Sequence, residues 1–194
     1  MTSLLLEKKD PLAYKYADWI TYMTHDEIDF LMQLARMLPE NPTVVNIGAG
    51  VGTSGLSFME SRGDLIYYSV DIRGEDNPIG GLANERHAFE GAHYWGVREI
   101  YQLLGDSKQV GKDWENGPVD MVFIDGDHTH QGCWGDWEAW SQHIKPGGIV
   151  ALHDYKGLYG PGVETTVIEV EKQHKRIGFV DTLVAFWISE NGNK

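Results

Sequence analysis

A glycine-rich turn and a series of acids recur along this chain at spacings that suit ligand chemistry. Gly48-Ala49-Gly50-Val51-Gly52 is followed by Asp71, then Asp106-Ser107, then Asp125-Gly126-Asp127-His128, and last His153-Asp154-Tyr155. Glycines let a backbone turn sharply and approach a ligand with no Cβ in the way. Asp71, about twenty residues past the glycines, offers two oxygens that can accept both hydroxyls of a ribose. Asp106 could accept from the amino group of a base. Asp125 and Asp154 could share a hard cation such as Mg²⁺, which needs only one or two carboxylates, with Asp127 nearby. Histidine as a residue type can take up and release protons near working pH, so His128, His130 and His153 are candidates for proton removal. Any one of these groups has a plainer reading as a turn or helix-cap residue. The ordered set points to a nucleotide-type cofactor.

Each group falls where a strand stops. Residues 43–47 are short and β-branched, hence a strand, and the glycine turn follows at once. A helix is predicted over 53–62. Residues 65–70 form a second strand closing on Asp71, and 82–90 a helix. Residues 100–104 form a third strand ended by Gly105-Asp106-Ser107, and 119–124 a fourth ended by Asp125. A helix over about 130–144 leads to a fifth strand, 149–152. A helix over about 163–176 precedes a closing stretch, 179–188, which is one long strand or two short ones turning near Asp181-Thr182. Upstream, Thr24-His25-Asp26-Glu27 has the form of a capping box. Ile28, Leu31, Leu34, Ala35 and Leu38 then mark an amphipathic helix over 24–38, stopped by Pro39 and Pro42. Segments 73–81 and 157–162 read as loops that gate a pocket.

Strands alternating with helices predict an α/β fold: a Rossmann-like, seven-stranded, mostly parallel sheet with helices on both faces. Consecutive apolar residues such as Val122-Phe123-Ile124 fit strands covered on both sides. Such sheets bind ligands beyond the carboxyl ends of their strands, which is where these acids stand. The chain reads as a single domain, 1–194, with 1–40 as an N-terminal helical extension.

Composition narrows the partners. The chain has 194 residues and a net charge of −13, with 16 Lys and Arg against 29 acids. It has no basic run for a phosphate backbone, so nucleic acid is not expected. The acidity also disfavours anionic membranes. The lone Cys133 cannot form an internal disulfide, fits a reducing compartment and reads as an idle thiol. The apolar run Leu4-Leu5-Leu6 is too short for an export or membrane segment, so the cytoplasm is expected. Trp134, Trp137 and Trp140 fall on one helical face, a pattern of core, of a homodimer interface or of a ligand wall.

Dinucleotide sites read Gly-x-Gly-x-x-Gly, with the third glycine beneath a pyrophosphate. Here the third glycine comes one residue early, and Asp106 and Asp125 would repel a pyrophosphate. S-adenosylmethionine carries no phosphate and bears a sulfonium cation, so an acidic crevice suits it. The stretch 44–57, Ser69-Val70-Asp71, Gly105-Asp106-Ser107, Phe123 to His128 and Leu152 to Tyr155 together resemble a class I S-adenosylmethionine-dependent methyltransferase. Within that family the chain is most similar to the group holding cephalosporin-hydroxylase-like proteins and macrolide- and sugar-modifying O-methyltransferases. The resemblance covers about residues 43–189. It implies that Gly48, Ala49, Gly50 and Gly52 line the methionine part, Asp71 the ribose, and Asp106 with Ser107 the adenine edge. The family usually has an acid where this chain has Asn46.

Methyl transfer is an in-line displacement that needs an aligned acceptor, a route for its proton and exclusion of water. The resemblance implies O-methylation of a small molecule or sugar, with Asp125 and Asp154 as ligands for Mg²⁺ or another divalent cation. His128, Asp125 and His153 are the candidate catalytic groups, and His128 is favoured as the base because it lies in the most family-specific stretch. His153 before Asp154, where the family often has two acids or Asp-Asn, leaves room for a cation other than Mg²⁺. Two rival readings remain at this stage: a protein that binds the cofactor without turnover, and a nicotinamide-dependent oxidoreductase.

Overall fold

Val44, Val45 and Ile47 give β1 (Thr43–Ile47) a β-branched, water-excluded character, and the strand runs through the middle of the sheet. The computed structural model describes residues 10–19, 22–74, 80–96, 98–158 and 161–189. Parallel to β1 run β2 (Ile66–Asp71) on one side and β4 (Val119–Ile124) on the other. β3 (Glu99–Leu104) lies outside β2, and β5 (Ile144–Leu152) lies beside β4. β6 (Lys175–Val180) and β7 (Leu183–Trp187) form a hairpin, and β7 pairs antiparallel with β5. The order is therefore β3-β2-β1-β4-β5-β7-β6. The chain changes direction across the sheet between β1 and β4, and a crevice opens at such a switch point.

All six residues of β4 are buried, as a strand covered on both faces requires. Along β4 and β5 the side chains alternate between two cores. Met121, Phe123, Ile149 and Ala151 meet α1 (Leu12–Trp19), α2 (His25–Arg36), α3 (Thr53–Ser61) and α4 (Leu82–Gly91). Val122, Ile124, Val150 and Leu152 meet α6 (His130–Ser141) and α7 (Pro161–Glu171), with α5 (Ser107–Lys112) packed beside α6. The seven-stranded, mostly parallel sheet with helices on both faces is as the pattern predicts. Among the described residues no helix is long and apolar enough to cross a membrane.

The structure departs from the sequence reading in several places. The helix expected over 163–176 ends at Glu171, and β6 begins at Lys175. There, pairing of Lys175 with Trp187 and Arg176 with Phe186 wins over the helical propensity of the charged residues. The closing stretch is two strands, with Asp181 at a left-handed φ of 48° in the turn between them. The helix expected to reach 144 stops at Ser141, because Ile144 already pairs with Val119. His174, within the helix expected over 163–176, lies beyond its end and is buried, and its Nδ1 accepts from Ser189 N at 3.2 Å. Trp137 and Trp140 are core, and Trp134 packs on the same cluster. Of the two expected gating loops, residues 75–79 and 159–160 lie outside the described residues.

Candidate active site

The site is built at the carboxyl ends of β1, β2, β3, β4 and β5. After β1 the chain turns through Gly48, Gly50 and Gly52, all at positive φ. At Gly48 the demand is absolute, since a Cβ there would stand 2.2 Å from the Asp125 carbonyl oxygen. Gly48 N donates to Val70 O at 2.9 Å, which ties the turn to β2. Ala49 and Gly52 do not face the crevice. Ala49 is buried and donates its N–H to Asp71 Oδ2 at 3.0 Å, and Gly52 lets α4 approach at Ala88 and Glu85.

Asp71 ends β2 and is 4% exposed. Its Oδ1 accepts from Arg73 N at 2.8 Å and Arg73 Nε at 3.1 Å, and its Oδ2 accepts from Arg73 Nη2 at 3.2 Å as well as from Ala49. The predicted diol acceptor is thus engaged by a half-exposed guanidinium, which nothing in the motif spacing announces. Ile72, beside it, is 77% exposed and presents a bare aliphatic face to the crevice.

Asp106 caps α5, a helix absent from the sequence reading. Its Oδ1 accepts from Lys108 N at 2.9 Å, and that N–H holds the carboxyl below its usual range. Ser107 donates its hydroxyl to Asp136 Oδ1. Asp136 lies on α6, and burial pushes its carboxyl up to about 6.

Asp125, His128, His153 and Asp154 converge between β4 and β5. His128 Nε2 lies 2.7 Å from Asp154 Oδ2 and 3.6 Å from Asp125 Oδ1. His153 is 4% exposed, with Nδ1 at 3.3 Å from both Asp125 Oδ1 and Asp154 Oδ2. Its Nε2 lies 3.3 Å from Glu27 Oε2 on α2. Burial opposes charge on His153, but Asp125, Asp154 and Glu27 outweigh it and push the imidazole up to about 12. Asp125 and Asp154 raise His128 to about 9. In the same balance, burial on Asp154 is outweighed by His128 and His153, which hold its carboxyl far below the usual range. Glu27 is likewise lowered to about 2, chiefly by His153 and Thr182 against its burial.

Asp125, His128 and Asp154 each offer one donor atom, and the three atoms lie within 4.8 Å of one another. Two carboxylates and an imidazole at that spacing are a fitting donor set for a divalent metal ion. Asp127, the other acid of the motif, turns away: its Oδ1 accepts from Thr129 N at 2.9 Å beside the first turn of α6.

Asn46, at the position where the family usually has an acid, is buried and donates to Tyr67 OH at 2.8 Å. Tyr67 in turn donates to Glu85 Oε1 at 2.7 Å. A fully buried carboxyl therefore does stand beneath the glycine turn, supplied by α4 rather than by β1.

Gly48, Gly50, Asp71, Asp106, Ser107, Asp125, His128, His153 and Asp154 all line one cavity of about 1230 Å³. Its walls hold nine Asp and Glu against three Arg and Lys. Residues from the α1–α2 segment, Asp18, Tyr22 and His25 among them, close one side. Sequence reasoning missed Glu27 as a site residue, because its capping-box role already accounted for it. Arg73 and Asp136 carried no local signal.

A family model described as a methyltransferase domain matches residues 45–155. Solved structures of similar fold include cofactor-bound Rv0187 from MTB, with 16% identity, a TM-score of 0.73, and coverage of 96% of this chain and 94% of that one. They also include PaMTH1 from Podospora anserina, a methyltransferase bound to SAH, with 14% identity, a TM-score of 0.70, and coverage of 92% and 86%. A third is TomG, an O-methyltransferase from Streptomyces achromogenes in complex with SAM, with 16% identity, a TM-score of 0.68, and coverage of 95% and 92%.

Proposed function

The chain belongs to the methyltransferase-domain family, and on that premise we propose that it transfers the methyl group of S-adenosylmethionine to a hydroxyl of a small molecule or sugar, with a divalent cation held by Asp125, His128 and Asp154. One observation carries the reading. The glycine turn, Asp71, the Asp106-Ser107 corner and the three-donor cluster open onto the same cavity. A single drug-sized ligand occupies a pocket of roughly 300–1,000 Å³, so this one has room for a cofactor and an acceptor together.

At the cofactor end, Gly48 and Gly50 let the methionine part approach the backbone, and Ile72 offers an apolar face to the adenine. Asp71 takes the ribose diol once Arg73 swings off it. Asp106 and Ser107 stand at the adenine edge. The excess of carboxylates suits a sulfonium cation and favours a neutral or cationic acceptor over a phosphorylated one.

At the acceptor end, Asp125, His128 and Asp154 hold the cation, which when bound would lower the pKa of an acceptor hydroxyl. This reassigns His128 from base to ligand. It also reassigns His153, whose buried ring braces Asp125 and Asp154 instead of reaching an acceptor. The α1–α2 segment limits water on the open side. Cys133 is buried, and burial pushes its thiol up to about 12, so it stays inert. The family match leaves the nicotinamide reading without support.

Calorimetric titration with S-adenosylhomocysteine, with and without Mn²⁺ or Mg²⁺, tests the proposal. Saturable binding that Asp71→Asn weakens at least tenfold is the expected result. Heat that is absent under every condition sinks the cofactor assignment, and binding without turnover on any hydroxylated acceptor returns the protein to the class of silent cofactor binders.

A further inference from the structure

The glutamate of the capping box does more than a helix cap asks of it. Thr24 and Glu27 satisfy each other as the box requires: Glu27 N donates to Thr24 Oγ1 at 3.1 Å, and Thr24 N donates to Glu27 Oε2 at 2.9 Å. Such a glutamate needs no other partner and is commonly left in water. Here the side chain is 2% exposed. Its Oε1 accepts from Thr182 N at 2.8 Å and from Thr182 Oγ1 at 2.7 Å, on the turn between β6 and β7. Its Oε2 also lies 3.3 Å from His153 Nε2.

His153 links this carboxylate to the cluster. One ring nitrogen faces Glu27, and the other lies 3.3 Å from Asp125 Oδ1 and from Asp154 Oδ2. An imidazole held at both nitrogens cannot rotate, so its Nδ1–H is aimed between the two carboxylates. The only other polar group near Nε2 in the hydrogen-bond network of the described residues is Thr182 Oγ1, at 3.5 Å, and that hydroxyl is already committed to Glu27. Carboxylates that ligate a metal depend on such outer hydrogen bonds for their orientation.

We infer that Glu27 is a positioning residue: from the first turn of α2, through His153, it sets Asp125 and Asp154 in the arrangement that receives the cation. The inference rests on reading Asp125, His128 and Asp154 as a cation site. It also gives α2 a second task. Thr24 Oγ1 donates to Asp181 Oδ2 at 2.6 Å, so the segment that walls the acceptor side is pinned by the same contacts that order the cluster. Seating of that wall and assembly of the cluster are one event.

A carboxamide has one acceptor oxygen. However the side chain of Glu27→Gln turns, it cannot accept from Thr182 on one side and from Thr24 and His153 on the other. The test uses Mn²⁺ alone with the full chain, reading free Mn²⁺ by electron paramagnetic resonance. Glu27→Gln is expected to weaken Mn²⁺ binding 10- to 100-fold, the usual effect of losing an outer-shell partner, while affinity for S-adenosylhomocysteine stays within about twofold of the parent. Ile28→Val, which loosens the same helix without touching His153, should lower Tm and leave Mn²⁺ affinity alone. His153→Gln cuts the link from its other end and carries the test if Glu27→Gln does not fold. Parent-like Mn²⁺ binding in either link variant overturns the inference, as does an equal loss in Ile28→Val. If Asp154→Asn abolishes binding while Glu27→Gln does not, the cation site survives and only the role of Glu27 falls. If the parent itself binds no Mn²⁺, both fall together.

Discussion

Asp136 shows how a single buried carboxyl leaves a mark on stability. It is 1% exposed beneath Ser107, and burial raises it to about 6. A carboxyl raised in the folded state binds protons more tightly there than in the unfolded chain. Its contribution is therefore present below the unfolded pKa and is lost as pH climbs from about 4 to about 6. A carboxyl displaced that far from its ordinary range is worth ~2–3 kcal/mol. Asp136→Asn should gain on the parent by that amount between pH 4 and pH 7 in denaturant unfolding. A constant difference across that range would mean that Asp136 titrates normally. Asp71 teaches a related lesson. Its place at the end of β2 was legible from spacing, but its pairing with Arg73 was not, since a guanidinium two residues away could as well have pointed into water.

At the scale of elements, α7 matters to the site more than its own residues suggest. Its Gly162 lies against the loop after β4, where a Cβ would stand 2.2 Å from His128 O and 2.6 Å from His130 N. Both atoms are backbone, so neither can turn aside. Gly162→Ala should therefore destabilise the fold by about 1–3 kcal/mol, the usual cost of overpacking, and should shift His128 with it. Equilibrium unfolding by urea checks the first effect; an unchanged midpoint would show that α7 can slide. The strands and most helices were legible because their apolar periodicity repeats over many residues. α5 was not, because it has only six residues and its one strong signal is the cap at Asp106, a residue that reads equally well as a ligand contact. The start of β6 was hidden for another reason. Lys175 and Arg176 are poor strand formers, and only their partners on β7 make them a strand.

For the whole molecule, one cavity fed by five strand ends and a helical wall means that a ligand there grips most of the fold at once. Binding only to the folded state stabilises it by mass action. S-adenosylhomocysteine at a hundred times its Kd should add ~2.7 kcal/mol, which for a domain of this size raises Tm by roughly 5–10 °C. The rise should shrink for Asp71→Asn at the same ligand concentration. A parent Tm that ignores the ligand would argue against the cavity as the cofactor site.

The sequence by itself determined the α/β class, the mostly parallel sheet and the places where chemistry could occur. Those follow from local rules: β-branched runs make strands, glycines make the turn, and acids end the strands. The tertiary structure decided which groups meet. It took Asp127 out of the cluster and put His128 in. It set a carboxyl from α4 beneath the glycine turn in place of the one missing at Asn46, and it drew Glu27 across to His153 from 126 residues away. No local pattern encodes such meetings, because a side chain's partner depends on how the helices lie on the sheet, and that is settled only when both cores close.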